Sequence, residues 1–156
     1  MIIQTAISSP IDDVIIQATE NGVSYVGFYP KTHYTHTPIE QVTNVPALIC
    51  AKQLNEYFNG RRTTFNVPLD THGTPFQNSV WQALLSVPFG KTSTYGDIAR
   101  LLNNPKAVRA VGAANGKNPI SIIVPCHRII GANAKLTGYA GGLARKQWLL
   151  KHEGLI

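Results

Sequence analysis

Thr94-Tyr95-Gly96-Asp97-Ile98-Ala99 and, five residues later, Pro105-Lys106-Ala107-Val108-Arg109-Ala110-Val111-Gly112 decide how this chain folds. Tyr95, Ile98, Ala99, Leu101 and Leu102 recur at helical spacing, and Thr94 or Ser93 offers the hydroxyl of an N-cap. Asn103-Asn104-Pro105 breaks that helix. Pro105 or Lys106 then opens the next one, because the first helical turn has no use for the N–H that proline lacks. A helix, a three-residue turn and a helix on a basic segment predict a helix-turn-helix.

The later helix of the pair carries two patterns. Ala107, Val108, Val111 and Ala114 form an apolar face, while Lys106, Arg109, Ala110, Ala113 and Lys117 share the other. Basic groups beside methyl-sized ones suit close approach to a phosphate-bearing surface. An alanine-rich helix packed tightly on its own core has the same periodicity, and the pattern leaves both readings open.

Charge sharpens the contrast along the chain. Residues 1–72 hold four Lys or Arg against six Asp or Glu, whereas residues 73–156 hold ten against two. A mildly acidic half joined to a half of net charge +8 points to one part that meets a polyanion and one that does not. The 156 residues allow one domain or two small ones. No basic segment leads into an apolar run at Met1-Ile2-Ile3-Gln4, and no stretch approaches the roughly 18 apolar residues of a membrane span. Two cysteines without a Cys-x-x-Cys fit a reducing compartment. The expected setting is therefore the cytoplasm, or the nucleus in a eukaryote.

Upstream, Ile2 to Ile7, Val14 to Thr19 and Val23 to Tyr29 read as strands, with Asn21-Gly22 as a hairpin turn. Val45, Leu48, Ile49, Leu54, Tyr57 and Phe58 predict a helix stopping at Gly60, and Thr63 to Leu69 a further strand. The turn-rich Asp70-Thr71-His72-Gly73-Thr74-Pro75 places a domain boundary near residue 72. Phe76, Val80, Trp81, Leu84 and Leu85 predict a helix ended by Pro88-Phe89-Gly90. Downstream, Ile120 to Val124 reads as extended and buried, and Gly131 to Gly142 as a glycine-rich loop. Ala144 to Lys151 reads as a final helix with Trp148, Leu149 and Leu150 inward and Arg145, Lys146 and Lys151 outward.

The chemistry concentrates at Val124-Pro125-Cys126-His127-Arg128-Ile129, where a thiol, an imidazole and a guanidinium stand together in an apolar frame. Such neighbours raise the thiolate fraction of a cysteine, whereas an isolated buried thiol is usually inert. His33, His36, Cys50 and His72 are metal-ligating types without a zinc spacing. A Cys–His hydrolase is awkward, since neighbours in an extended segment point to opposite sides and no oxyanion hole is marked. Alkyl transfer to Cys126 asks less: His127 need only reach the thiol through a water, with Glu153 orienting the imidazole.

Taken together, Pro125-Cys126-His127-Arg128, Asn118-Pro119, Tyr139-Ala140-Gly141-Gly142 and Trp148-Leu149-Leu150-Lys151-His152-Glu153-Gly154 resemble the O6-alkylguanine-DNA alkyltransferases. The two helical stretches quoted at the start match in kind and order. The resemblance covers about residues 75–155, with residues 1–72 agreeing only in general layout.

The resemblance implies an α+β chain. Residues 1–72 would form a small α/β, ribonuclease H-like domain of antiparallel strands and a helix. Residues 73–156 would form a mostly helical, winged helix-turn-helix-like domain for DNA binding and alkyl acceptance. It implies repair by irreversible transfer of an alkyl group from O6 of guanine, and O4 of thymine, to Cys126 after base flipping. The partner would be double-stranded DNA carrying O6-alkylguanine, met by a monomer without cofactor, metal or membrane. His127 and Glu153 would relay the proton, and Asn118 would tie the chain around the active-site turn. Tyr95, Tyr139, Ala140, Ile129 and Lys146 would meet the base. Arg109 would enter the stack, with Ala110, Ala113, Lys106, Lys117 and Arg128 against the DNA. Ala140 stands where some relatives carry serine, and the proposed contact there is through the main chain.

Two competing readings differ in class. A non-catalytic alkylated-DNA-binding relative would have tryptophan in place of Cys126. A transcription regulator using only the helix-turn-helix would leave the surroundings of Cys126 unexplained.

Overall fold

The computed structural model describes residues 2–131 and 136–156. The chain divides into two compact units, residues 1–72 and residues 73–156.

In the first unit β1 (Ile3–Ile7), β2 (Val14–Ala18) and β3 (Val23–Gly27) form an antiparallel sheet in sequence order. All five residues of the central strand β2 are buried, including Gln17, whose side-chain NH2 donates to the Gln4 side-chain oxygen at 2.8 Å. The β2–β3 turn passes so close to the following chain that a Cβ on Gly22 would lie 2.7 Å from the Leu69 carbonyl carbon. Only glycine fits there. Helix α1 (Val45–Phe58) is capped by the Asn44 side chain, which accepts from the Ala47 N–H at 2.9 Å, and has Pro46 in its first turn. Its Ala47, Cys50, Leu54 and Tyr57 are buried, and it packs on β2 and β3. The strand expected over Thr63 to Leu69 does not form. Val23 donates to the Pro68 carbonyl and accepts from the Asp70 N–H, both at 2.8 Å, making an isolated bridge to Leu69. Pro68 has no N–H with which to continue a ladder.

The second unit is built on α2 (Pro75–Leu84), α3 (Tyr95–Leu101) and α4 (Val108–Gly116), which pack on one another. Both α2 and α3 start with reciprocal capping boxes, Thr74 with Gln77 and Thr94 with Asp97. Trp81 of α2 buries its indole and donates to the Ala114 carbonyl of α4 at 2.9 Å. A short parallel pair joins β4 (Ser93–Thr94) to β5 (Ile129–Ile130), bringing the end of the cysteine segment to the start of α3. Helix α5 (Leu143–His152) closes the chain. Residues 132–135 of the expected glycine-rich loop lie outside the described residues.

The helix-turn-helix differs from its sequence reading in where α4 begins. Asn103 adopts a left-handed φ of 58°, and the Asn104 N–H bonds back to the Ala99 carbonyl at 3.0 Å. The Ala107 N–H then bonds to the Asn104 carbonyl at 3.0 Å, so Pro105 occupies a reverse turn instead of a first helical turn. The connection is therefore longer than three residues, Lys106 precedes the helix, and Val108 is exposed rather than inward.

Candidate active site

Cys126 is not on an extended segment. Ile120 to Val124 is buried, as expected, but coiled: Val124 donates to the Ile120 carbonyl at 3.1 Å, and Ile123 to the Ser121 carbonyl at 2.8 Å. Ile122 takes a left-handed φ of 73°, unusual for a β-branched residue. Strain of this kind costs about 1–3 kcal/mol and persists only where surrounding contacts over-determine it. Asn118 is one such contact. Its side-chain NH2 donates to the carbonyls of Val124 at 2.8 Å and Ile120 at 3.2 Å, and its oxygen accepts from the Ile120 N–H at 3.0 Å. One buried amide thus ties both ends of the bend. The chain then makes a 3-10 turn over Cys126–Arg128.

Every group on this turn is buried. Cys126 is 4% exposed, and burial pushes its thiol pKa up, opposed by the Asn118 side chain and the Lys146 ammonium. His127 is fully enclosed. Its Nε2 lies 2.7 Å from Glu153 Oε2, while Nδ1 finds no hydrogen-bond partner among the described residues. Burial pushes the imidazole below its ordinary 6.5, outweighing the upward pull of Glu153, with Arg128 and Lys146 adding to the depression. At neutral pH the resting site therefore holds a neutral thiol near a neutral imidazole.

Lys146 corrects the sequence reading, which faced it outward. It is fully buried, and Nζ donates to the Ile129 carbonyl at 2.6 Å and the Thr137 carbonyl at 3.2 Å. Burial pushes its pKa down, while the nearby Cys126 favours the charged form. Trp148, expected inward, is only partly buried and stacks on His152 with centroids 4.8 Å apart. Arg128 is a second correction. Expected against DNA, it is buried, with Nε donating to Glu153 Oε1 at 2.7 Å, Nη2 to Glu153 Oε2 at 3.2 Å and Nη1 to the Val87 carbonyl at 2.7 Å. A guanidinium so fully engaged has no reach to a phosphate. Ile129, expected to meet the base, has a completely buried side chain, and its carbonyl accepts from Lys146 Nζ.

Tyr95, the first residue of α3, places its hydroxyl 2.5 Å from the Thr137 hydroxyl. Thr137 was not marked by any sequence signal, yet it contacts both Tyr95 and Lys146. The Tyr139 hydroxyl is enclosed, and burial with the neighbouring Cys126 raises its pKa well above 10.0. Ala140 is exposed one residue further on. On α4 the exposed face is Arg109, Ala110, Ala113 and Gly116, continued by Lys117 after the helix and Lys106 before it. Val111 and Ala114 are buried, so both periodic patterns of this helix are used: one packs, the other is presented.

No group of three or more potential metal ligands occurs among the described residues. Cys50 is a buried free thiol pushed up to about 12 by burial, as an inert core residue would be.

The family model for the 6-O-methylguanine DNA methyltransferase ribonuclease-like domain matches residues 2–71, and that for the DNA binding domain matches residues 75–155. A methylated-DNA–protein-cysteine methyltransferase of Methanosarcina acetivorans is 50% identical over 147 residues, covering 94% of each chain. The crystal structure of the Mycobacterium tuberculosis O6-methylguanine methyltransferase is similar with a TM-score of 0.87 at 45% identity, covering 98% of this chain and 93% of that one. The crystal structure of Mycobacterium tuberculosis OGT in complex with DNA is similar with a TM-score of 0.85 at 44% identity, covering 97% and 92%. The chain belongs to the 6-O-methylguanine DNA methyltransferase family.

Proposed function

We propose that this protein repairs alkylated DNA directly, moving the alkyl group from O6 of guanine, and from O4 of thymine, onto its own Cys126. The observation that carries this reading is the buried chain Cys126, His127, Glu153, in which His127 Nε2 is held by the carboxylate and Nδ1 is left without a partner among the described residues. A thiol raised by burial is a poor nucleophile until its proton has somewhere to go. His127 Nδ1, through a water, receives it. The sulfur then displaces the guanine oxygen in line, forming S–C and breaking C–O6. The departing electron pair stays on the guanine, faced by the Lys146 ammonium, and the proton lost by the thiol ends on the base. The thioether product has no easy leaving group, so each molecule acts once.

The lesion must leave the duplex to reach a buried sulfur. The exposed face of α4 supports that step. Ala110 and Ala113 permit close approach to a minor groove, Lys106 and Lys117 neutralise phosphate, and Arg109 fills the space the base vacates. Tyr95 meets the turned nucleotide, Tyr139 lines the pocket, and the main chain at Ala140 donates to O6. Asn118 holds the active-site bend in place. The protein acts as a monomer in a reducing compartment, the cytoplasm or the nucleus, consistent with its two unpaired cysteines.

The reading is tested with duplex DNA carrying labelled O6-methylguanine. Mass spectrometry should find the methyl on the peptide containing Cys126 and on no other peptide. DNA that is bound without any transfer would favour the non-catalytic alternative.

A further inference from the structure

Glu153 is shared between two basic side chains of different kinds. His127 Nε2 lies against Oε2 at 2.7 Å, whereas Arg128 takes both oxygens, at 2.7 and 3.2 Å, and has its third nitrogen fixed on the Val87 carbonyl at 2.7 Å. The side chains of His127 and Glu153 are fully enclosed, and that of Arg128 is 7% exposed. The Arg128 guanidinium also lies 5.9 Å from the Phe89 ring centroid. Among the described residues, the other charged or titratable groups around His127 are Lys146 from α5 and Cys126 on its own turn, with Tyr139 from the loop before α5 beyond Cys126.

A buried carboxylate facing only an imidazole has two ways to lower its energy. It can keep the imidazole doubly protonated, or it can take a proton itself. Either outcome removes the base that Cys126 needs. An arginine cannot lose its proton, and its planar fork matches a carboxylate.

We propose that Arg128 is a positioning residue for alkyl transfer, clamping Glu153 as an anion so that His127 rests neutral, with its proton on Nε2 and its Nδ1 lone pair free for the thiol proton. This rests on Cys126 being the acceptor. It gives Arg128 a role in the reaction without any contact with DNA.

The test compares single-turnover transfer from O6-methylguanine duplex DNA between about pH 5.5 and about pH 9. In Arg128→Met the acidic limb of the rate profile should move up by about one pH unit or more, because the imidazole keeps its second proton to higher pH. Arg128→Lys keeps the charge and should hold the limb near its original place at a lower rate. A rate that falls by one factor at every pH, with the limb unmoved, would overturn the proposal. Should Arg128→Met not fold, nitrogen-15 NMR of His127 in the unaltered, DNA-free protein decides. The Nε2–H tautomer is expected at neutral pH, and an Nδ1–H tautomer or an imidazolium overturns the proposal. That spectrum does not depend on transfer, so a protein with the expected tautomer that takes no alkyl group from DNA would sink the functional reading separately.

Discussion

Lys146 Nζ donates to the Ile129 carbonyl oxygen at 2.6 Å, and this bond ties α5 to the strand that leaves the cysteine turn. The ammonium also holds the Thr137 carbonyl at 3.2 Å. Lys146→Met keeps most of the volume and removes both donors. It should destabilise the protein by about 2–3 kcal/mol, the cost of one buried and one part-buried acceptor losing a charged partner. It should also slow alkyl transfer by at least about tenfold, because charge developing on the departing base loses a cation held beside Cys126. Urea unfolding and single-turnover kinetics on the same variant check the two parts.

Thr94 is expected to matter for stability out of proportion to its position near the surface. Its hydroxyl accepts from the Asp97 N–H at 3.1 Å, and its own N–H donates to the Asp97 carboxylate at 3.2 Å. These bonds hold the Asp97 pKa down and start the helix that presents Tyr95. Thr94→Ala should cost about 1 kcal/mol, whereas Thr94→Ser should cost only a small part of that. Denaturant midpoints of the two variants, compared at equal slope, make the check.

How much of this was legible in the sequence differs from residue to residue. The cap at Thr94, the hairpin at Asn21-Gly22 and the helix ending near Gly60 follow from local chemistry, and they stand where local chemistry puts them. Pro105 was misleading because a proline suits a reverse turn as well as a first helical turn, and only the left-handed Asn103 before it selects the turn. Residue type points Lys146 outward, whereas the fold buries it. Leu149 and Leu150 face inward, and Lys146 and Glu153 fall on that same face by helical spacing, so the period alone carries the information that the charge of Lys146 obscured. Arg128 gave no such signal. Its partners, Val87 and Glu153, are 41 and 25 residues away, and no local rule joins them.

Arg109→Ala should separate DNA handling from chemistry. Arg109 is exposed on α4, so its loss should change folding stability by no more than about 0.5 kcal/mol. Transfer from duplex DNA should slow by at least about tenfold more than transfer from the free modified base. Lys106→Ala and Lys117→Ala should each flatten the salt dependence of DNA affinity by about one ion's worth. Equal slowing on duplex and free base would remove Arg109 from the flipping step.

Cys50 predicts an alkaline limit to stability. Its thiol is pushed from 9.0 to about 12 by burial in the fold. Above about pH 9 the unfolded chain ionises and the folded one does not, so stability falls as pH rises through that window. The slope is about 1.4 kcal/mol per pH unit for this one group. Cys126, also raised by burial, adds to the loss. Cys50→Ala should be less stable at neutral pH and show a shallower decline between about pH 9 and about pH 11, read by urea unfolding across that range.

The most direct measurement is a stoichiometric titration. A fixed amount of protein meets increasing duplex DNA that carries one labelled O6-methylguanine, and protein-bound label is counted at completion. A plateau at one methyl per molecule is expected, all of it on Cys126, with none taken up by Cys126→Ala. Turnover beyond one equivalent, or label carried by Cys126→Ala, would contradict it.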